Sequence, residues 1–200
     1  MTESSQRLTA TVPKRTQVAV ISFLVVLFLA GCRMSVPKGA SEAITLMTEY
    51  NKQGRHEDAI RLAQEWLKEH PDDASDAGRF YQQIAMTYLT KASKDTAHKD
   101  EWIQHAAAYF DRDLSVHQKA DADIELYVVG RGFETAGRFS TANGCEYYGR
   151  AVKAFEEEAP YIQGDDFTAY GKAVKLASIR QANEKALERV KAELAEAGCK

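Results

Sequence analysis

The chain is predicted to fold as an all-α stack of about three antiparallel helix pairs with a C-terminal capping helix, and two observations support this. First, the sequence from Ser41 onward is rich in Ala, Glu, Lys and Gln, and its only prolines are Pro71 and Pro160. Second, apolar residues in this region recur at intervals of three and four, as one face of a helix requires. No segment shows the alternation expected of a strand.

The first helix pair is predicted around Gly54, which stands four residues after Tyr50. The helix that follows this turn is expected to end at Pro71, because proline cannot continue a helix. Its apolar residues fall at helical spacing, at Ile60, Ala63, Trp66 and Leu67.

The landmarks of this first pair recur later in the chain. In a third pair, Phe133 precedes Gly137 by four residues, and the following helix ends at Pro160. A degenerate second pair, without a turn glycine or a terminal proline, is predicted between them. Its landmarks are Tyr88, Ala92, Trp102, Ala106 and Phe110.

This repeated unit resembles the tetratricopeptide repeat. That family has an aromatic residue late in the first helix, Gly at the turn, Ala early in the second helix and Pro after it. The first pair matches this pattern at Tyr50, Gly54, Ala59, Ala63 and Pro71. The second and third pairs contain about nine and about six extra residues, so the family's period is not kept. The resemblance implies stacked helix pairs with a concave face lined by the first helix of each pair.

A last helical segment is predicted from Asp165-Asp166 to about Ala197, with Gly198 as its stop. It has one apolar stripe, formed by Leu187, Val190 and Leu194. Because a stack of repeats exposes apolar surface at its end, this segment is expected to serve as the terminal cap.

The N-terminal region has the pattern of an export signal. Lys14 and Arg15 precede an apolar run from Val18 to Ala30, which is too short to cross a bilayer. The run ends in Leu29-Ala30-Gly31-Cys32, which resembles the lipobox of bacterial lipoproteins.

The lipobox resemblance implies three segments. Residues 1–31 would be a removed lipoprotein signal peptide, 32–40 a tether acylated at Cys32, and 41–200 the helical-repeat domain. It further implies a lipid-anchored protein of the bacterial cell envelope, and Arg33 after the acylated Cys favours the outer membrane, facing the periplasm. The alternative is an ordinary cleaved signal in which Cys32 has no role.

The charge of the chain argues against nucleic acid as a partner. Residues 1–31 contain three of the 26 basic and one of the 29 acidic side chains, which leaves the remainder with a net charge of −5. Proteins that bind nucleic acid need basic patches to neutralise phosphates. Attachment to a membrane would likewise depend on the lipid rather than on charge.

The sequence contains no motif that indicates catalysis, a metal or a cofactor. The histidines are His56, His70, His98, His105 and His117, and none has the spacing of a metal-binding pair. No nucleophile motif and no phosphate-binding glycine loop is present. The protein is therefore predicted not to be an enzyme and to bind no cofactor.

Cys145 and Cys199 are the two cysteines that would remain after processing. In an oxidising compartment they are a candidate disulfide. The alternative is two unpaired cysteines, since sequence alone does not test the geometry that a disulfide requires.

Alignment of the three pairs on their aromatic residues predicts a partner-binding groove on the first helices. The predicted groove residues are Asn51, Gln82, Met86, Tyr127, Arg131 and Glu134. Tyr, Arg, Met and amide side chains suit a peptide or a partner helix. The alternative is that half of them pack inside the stack.

These observations predict a membrane-anchored adaptor that binds other envelope proteins, or peptide segments of them. The resemblance to lipoproteins implies a role in the assembly or targeting of an outer-membrane, secretion or pilus complex. Two alternatives are a regulatory subunit of an envelope enzyme that acts on peptidoglycan, and a hydrolase on a helical scaffold.

Overall fold

The computed structural model describes residues 36–120, 126–164, 167–169 and 172–199. The predicted signal peptide, Cys32 with its lipobox, and Asp165-Asp166 lie outside these residues. The helices are α1 (Ala40–Lys52), α2 (His56–Glu69), α3 (Ala74–Lys94), α4 (Lys99–Ala120), α5 (Leu126–Phe139), α6 (Gly144–Glu158) and α7 (Leu176–Glu196). Two short strands, β1 (Phe167–Ala169) and β2 (Lys172–Val174), lie between α6 and α7.

Consecutive helices pack in pairs. The helix α1 lies against α2, α3 against α4 and α5 against α6, while α7 packs on α6 and contacts α5. Because short turns join the helices of each pair, these helices run antiparallel. The predicted all-α fold, three helix pairs followed by a C-terminal helix, is confirmed. No helix in the described ranges combines the length and apolar character needed to cross a bilayer.

The segment that precedes α7 differs from the prediction. The sequence pattern predicts a helix from residues 165–166 onward, whereas β1 and β2 form an antiparallel ribbon that pairs Phe167 with Val174. The helix α7 begins only at Leu176. The aromatic Phe167 and the β-branched Thr168 and Val174 favour strands, which explains why the helix starts later.

The turn between α1 and α2 depends on Gly54. Its backbone has a φ of +76°, a conformation that glycine adopts without steric cost. This conformation allows Arg55 N to donate to the carbonyl oxygen of Tyr50 at 2.8 Å. The turn closes the end of α1 as a left-handed glycine cap does, and α2 then begins at His56.

The turn between α3 and α4 contains no glycine, and Asp95 holds it together instead. The carboxylate of Asp95 accepts hydrogen bonds from Trp102 Nε1 at 3.1 Å and from His98 Nδ1 at 2.9 Å. It also accepts one from Ala97 N at 3.1 Å. The bonds from Trp102 and His98 lower the pKa of Asp95 to about 2. The carboxylate is therefore ionised at neutral pH and ties the turn to α4.

Small residues and stacked rings join the first pair to the second. Ala59 and Ala63 on α2 are fully buried, as the repeat pattern predicts. Trp66 is buried between the rings of His70 and Phe80, with centroid distances of 4.1 and 4.2 Å. Because Phe80 lies on α3, this stack links the two pairs.

Two glycines of α5 allow aromatic rings to approach its backbone. A Cβ on Gly132 would lie 2.0 Å from the Phe110 ring of α4. A Cβ on Gly130 would lie 2.6 Å from the Phe155 ring of α6. Both rings are fully buried, so they have little room to move. These glycines set the close packing of α5 against both neighbours.

We expect Gly132→Ala to lower the free energy of unfolding by about 1–3 kcal/mol, because the added methyl group overlaps the buried Phe110 ring. Gly149→Ala on α6 is the matched control. A Cβ at Gly149 meets nothing within 4 Å, so we expect a gain of about 0.5–1 kcal/mol. Denaturant unfolding followed by circular dichroism measures both changes. A Gly132→Ala protein as stable as the wild type would contradict the close packing.

Candidate functional site

The first helices of the three pairs form a continuous row, because α3 contacts both α1 and α5. The other sides of α3 are occupied. Thr87 bonds to α1, Phe80 stacks on α2, and Tyr88 stacks on α4. We call the side of α1, α3 and α5 that remains exposed the first-helix face.

Helical spacing aligns the exposed and half-buried residues of the first-helix face, since intervals of three and four residues fall on one side of a helix. The stripe on α3 is Asp76, Arg79, Gln83, Met86 and Thr90, and the stripe on α5 is Val128, Arg131, Thr135 and Arg138. Met86 is 42% exposed and Val128 is 37% exposed. Together with Tyr161, they are the large hydrophobic residues that the described part of the chain exposes.

Three of the predicted groove residues lie at or beside this face. Met86 is exposed, and the side chain of Arg131 is 42% exposed. Tyr127 is half-buried, with its ring centroid 5.8 Å from that of Phe155 on α6. Tyr127 thus presents only part of its ring to the surface.

The other three predicted groove residues turn inward. The assignment of Gln82 and Glu134 to an open groove is wrong, because they are only 7% and 1% exposed. Asn51 is half-buried, and its Nδ2 donates to Thr87 Oγ1 at 2.8 Å, which engages its amide in the contact between α1 and α3. These side chains face neighbouring helices. The sequence pattern of one helix pair does not predict where the neighbouring helices lie.

Glu134 is the buried centre of an ion cluster between α5 and α7, and the arginines around it are partly exposed. Arg189 on α7 donates from Nε and Nη2 to the two carboxylate oxygens, at 2.6 and 2.9 Å. On α5 itself, Arg138 Nη2 donates at 2.6 Å and Arg131 Nη1 lies at 3.3 Å. A buried carboxylate is costly unless it is paired and hydrogen-bonded, so this cluster requires α7 to be in place.

Arg138 connects the cluster to a second carboxylate on α7. Its Nε lies 2.9 and 3.0 Å from the two oxygens of Glu193. The hydrogen bond to Glu193 raises the pKa of Arg138, and the bond to Glu134 raises the pKa of Arg189. Both guanidinium groups are therefore permanent cations.

A disulfide joins Cys145, in the first turn of α6, to Cys199, which follows α7. Their Cα atoms are 5.4 Å apart, within the range that a disulfide requires. The sequence leaves open whether the two cysteines are paired or unpaired, and in the structure they are paired. The disulfide and the Glu134 cluster together clamp α7 onto the third helix pair.

A polar junction beside Asn51 joins α1, α2 and α3. His56 Nδ1 lies 3.0 Å from Asn51 Oδ1, and Lys94 Nζ lies 3.5 Å from His56 Nε2. These contacts fit a neutral imidazole that donates through Nδ1 and accepts through Nε2. Burial and the positive charges of Lys94 and Lys91 lower the pKa of His56, against a weaker opposing effect of Glu57.

Neither a metal-binding arrangement in the described ranges nor a similarity to known proteins indicates a function. In the ranges that the structure describes, no group of three or more His, Cys, Asp or Glu side chains is placed to hold a metal ion. Comparisons of the chain with known protein families, with curated proteins and with solved structures also find no match. The first-helix face and the clamp beside it are therefore the features from which a function is proposed.

The pH dependence of stability tests the His56 junction. Because the folded chain lowers the pKa of His56 from 6.5, the unfolded chain binds this proton more readily. The free energy of unfolding should therefore fall as the pH decreases through about 6.5. We expect the wild type to lose more stability than His56→Gln between about pH 7.5 and 5.5 in denaturant titrations. Equal losses would show that this histidine is not coupled to folding.

We expect Cys145→Ser to lower the free energy of unfolding by up to about 4 kcal/mol, because the bridge closes a long loop in the unfolded chain. A dithiol reductant such as dithiothreitol should destabilise the wild type by a similar amount and leave Cys145→Ser unchanged. Urea unfolding with and without the reductant measures both effects. An equal response of the two proteins to the reductant would contradict a stabilising clamp.

Proposed function

We propose that the protein is a lipid-anchored adaptor of the bacterial cell envelope that binds other envelope proteins, or segments of them, on its first-helix face. The observation that carries this proposal is the exposure of Met86 and Val128 beside arginines on adjacent first helices. Met and Arg are enriched at protein interfaces, and a few such anchors supply most of the binding energy.

Two further features support placement in the envelope. The resemblance of Leu29-Ala30-Gly31-Cys32 to a lipobox favours acylation at Cys32, and Arg33 favours the outer membrane, facing the periplasm. The disulfide between Cys145 and Cys199 is typical of proteins in oxidising compartments such as the periplasm. A role in the assembly or targeting of an outer-membrane, secretion or pilus complex fits such an adaptor.

The length of the tether limits where the adaptor works. The helix α1 begins at Ala40, so residues 32–39 separate the proposed anchor from the helical stack. Eight residues reach at most about 28 Å when extended. The first-helix face would therefore meet partners close to the membrane surface.

A photo-crosslinking amino acid placed on the first-helix face tests the adaptor function in cells. We expect a crosslinker at Met86 or Val128 to capture a defined envelope protein, because these side chains are exposed on that face. The matched control is Lys153 on α6, which is exposed on a second helix. Equal capture from Lys153, or none from the two test positions, would contradict the proposal. Capture of a peptidoglycan enzyme whose rate changes on binding would favour the regulatory alternative.

The anchor has a separate test. We expect mass spectrometry of the mature protein to find an acylated N-terminal Cys32, and Cys32→Ala to leave the membrane fraction. An unmodified Cys32, or a Cys32→Ala protein that still fractionates with membranes, would contradict the lipid anchor without bearing on the first-helix face.

A further inference from the structure

The part of the first-helix face that lies on α5 is basic, although the chain as a whole carries a net charge of −3. The stripe on α5 contains no carboxylate, and its charged members are Arg131 and Arg138, whereas α1 exposes Glu42 and Glu49. Arg79 is paired with Asp76 on its own helix at 2.7 Å. The unbalanced positive charge therefore lies where α5 meets α7.

The Glu134 cluster holds more positive than negative charge. Arg131, Arg138 and Arg189 share Glu134, and Glu193 is the one other carboxylate bonded to them in the described part of the chain. Each guanidinium carries five N–H donors, and two carboxylates engage only part of them. Three cations thus meet two anions, one of which is buried.

Holding α7 in place does not require all three arginines. Arg189 alone reaches both oxygens of Glu134, at 2.6 and 2.9 Å. Arg131 lies on α5 rather than on α7, at 3.3 Å from the same carboxylate, and its half-exposed side chain adds little to the pair. Its guanidinium is instead placed to present donors to a carboxylate arriving from solvent.

We infer that the segment bound on the first-helix face is an acidic, amphipathic segment of a partner protein. Its carboxylates accept hydrogen bonds from Arg131 and Arg138, and its apolar side chains cover Met86 and Val128. Val128 precedes Arg131 by three residues on one stripe, so a single bound segment reaches both. This inference rests on the proposed adaptor function and adds the chemistry of the partner.

Two synthetic peptides with opposite charge test the inference on the full chain in detergent micelles. Both are about 16 residues long, enough for a helix of about 24 Å, with identical Leu positions and either Glu or Lys at the remaining ones. We expect the Glu peptide to bind at least about tenfold more tightly than the Lys peptide at about 50 mM salt, and this difference to shrink at about 500 mM. Equal binding of the two peptides, or no binding of the Glu peptide, would overturn the inference.

The variant Arg131→Gln, which keeps a polar side chain, assigns the binding to this face. We expect Arg131→Gln to lower the affinity for the Glu peptide about three- to tenfold, whereas Lys153→Gln on α6 leaves this affinity unchanged. Thermal unfolding of both variants verifies the fold. Equal affinities of the two variants would overturn the assignment.

Sequencing the peptide crosslinked to Val128 in cells separates this inference from the adaptor function. A captured segment rich in Asp and Glu supports both. A captured segment that is neutral or basic overturns the acidic-partner inference and leaves the adaptor function standing. Absence of any capture from Met86 and Val128 overturns the adaptor function itself. A lipid surface is the other possible ligand of these arginines. If the full chain binds anionic vesicles, loses this binding in Arg131→Gln and does not bind the Glu peptide, the arginines contact lipid instead of a partner protein.

Discussion

Burial of the Glu134 carboxylate between α5 and α7 imposes a strict condition on the C-terminal half of the molecule. Such a group costs several kcal/mol to remove from water unless charged donors replace its hydration. Arg189 on α7 replaces this hydration with two hydrogen bonds, and Arg138 contributes a third from the same helix as Glu134. In this docking position of α7, Arg189 supplies two of the three hydrogen bonds that the carboxylate accepts.

The same docking position explains the disulfide and the basic edge of the first-helix face. Few large apolar residues hold α7, since its buried residues are Leu176, Asn183, Ala186 and Val190. Polar contacts and the disulfide must therefore contribute much of its attachment. With α7 in place, Cys199 meets Cys145, and the cluster orients Arg131 and Arg138 beside Val128. One interaction thus links the stability of the cap to the chemistry of the candidate binding surface.

The features that the sequence predicts well are those that a short window contains. Gly54 has the left-handed backbone that its turn needs, and Ala59 and Ala63 are buried as the repeat pattern indicates. Glu134 and Arg189 stand 55 residues apart, and neither belongs to a motif. A short sequence window therefore does not predict that they pair. Within α5, the three-residue spacing from Arg131 to Glu134 and the four-residue spacing from Glu134 to Arg138 are local patterns that favour ion pairs.

A double-mutant cycle between Glu134 and Arg189 tests the central role of the buried carboxylate most directly. Denaturant unfolding of Glu134→Gln, Arg189→Gln and the double variant yields the coupling free energy between the two side chains. Because Glu134 is buried and the partly exposed Arg189 donates to both of its oxygens, we expect a coupling of about 1–3 kcal/mol. Losses that add to within about 0.5 kcal/mol would show that the two residues do not interact and would contradict this account of α7.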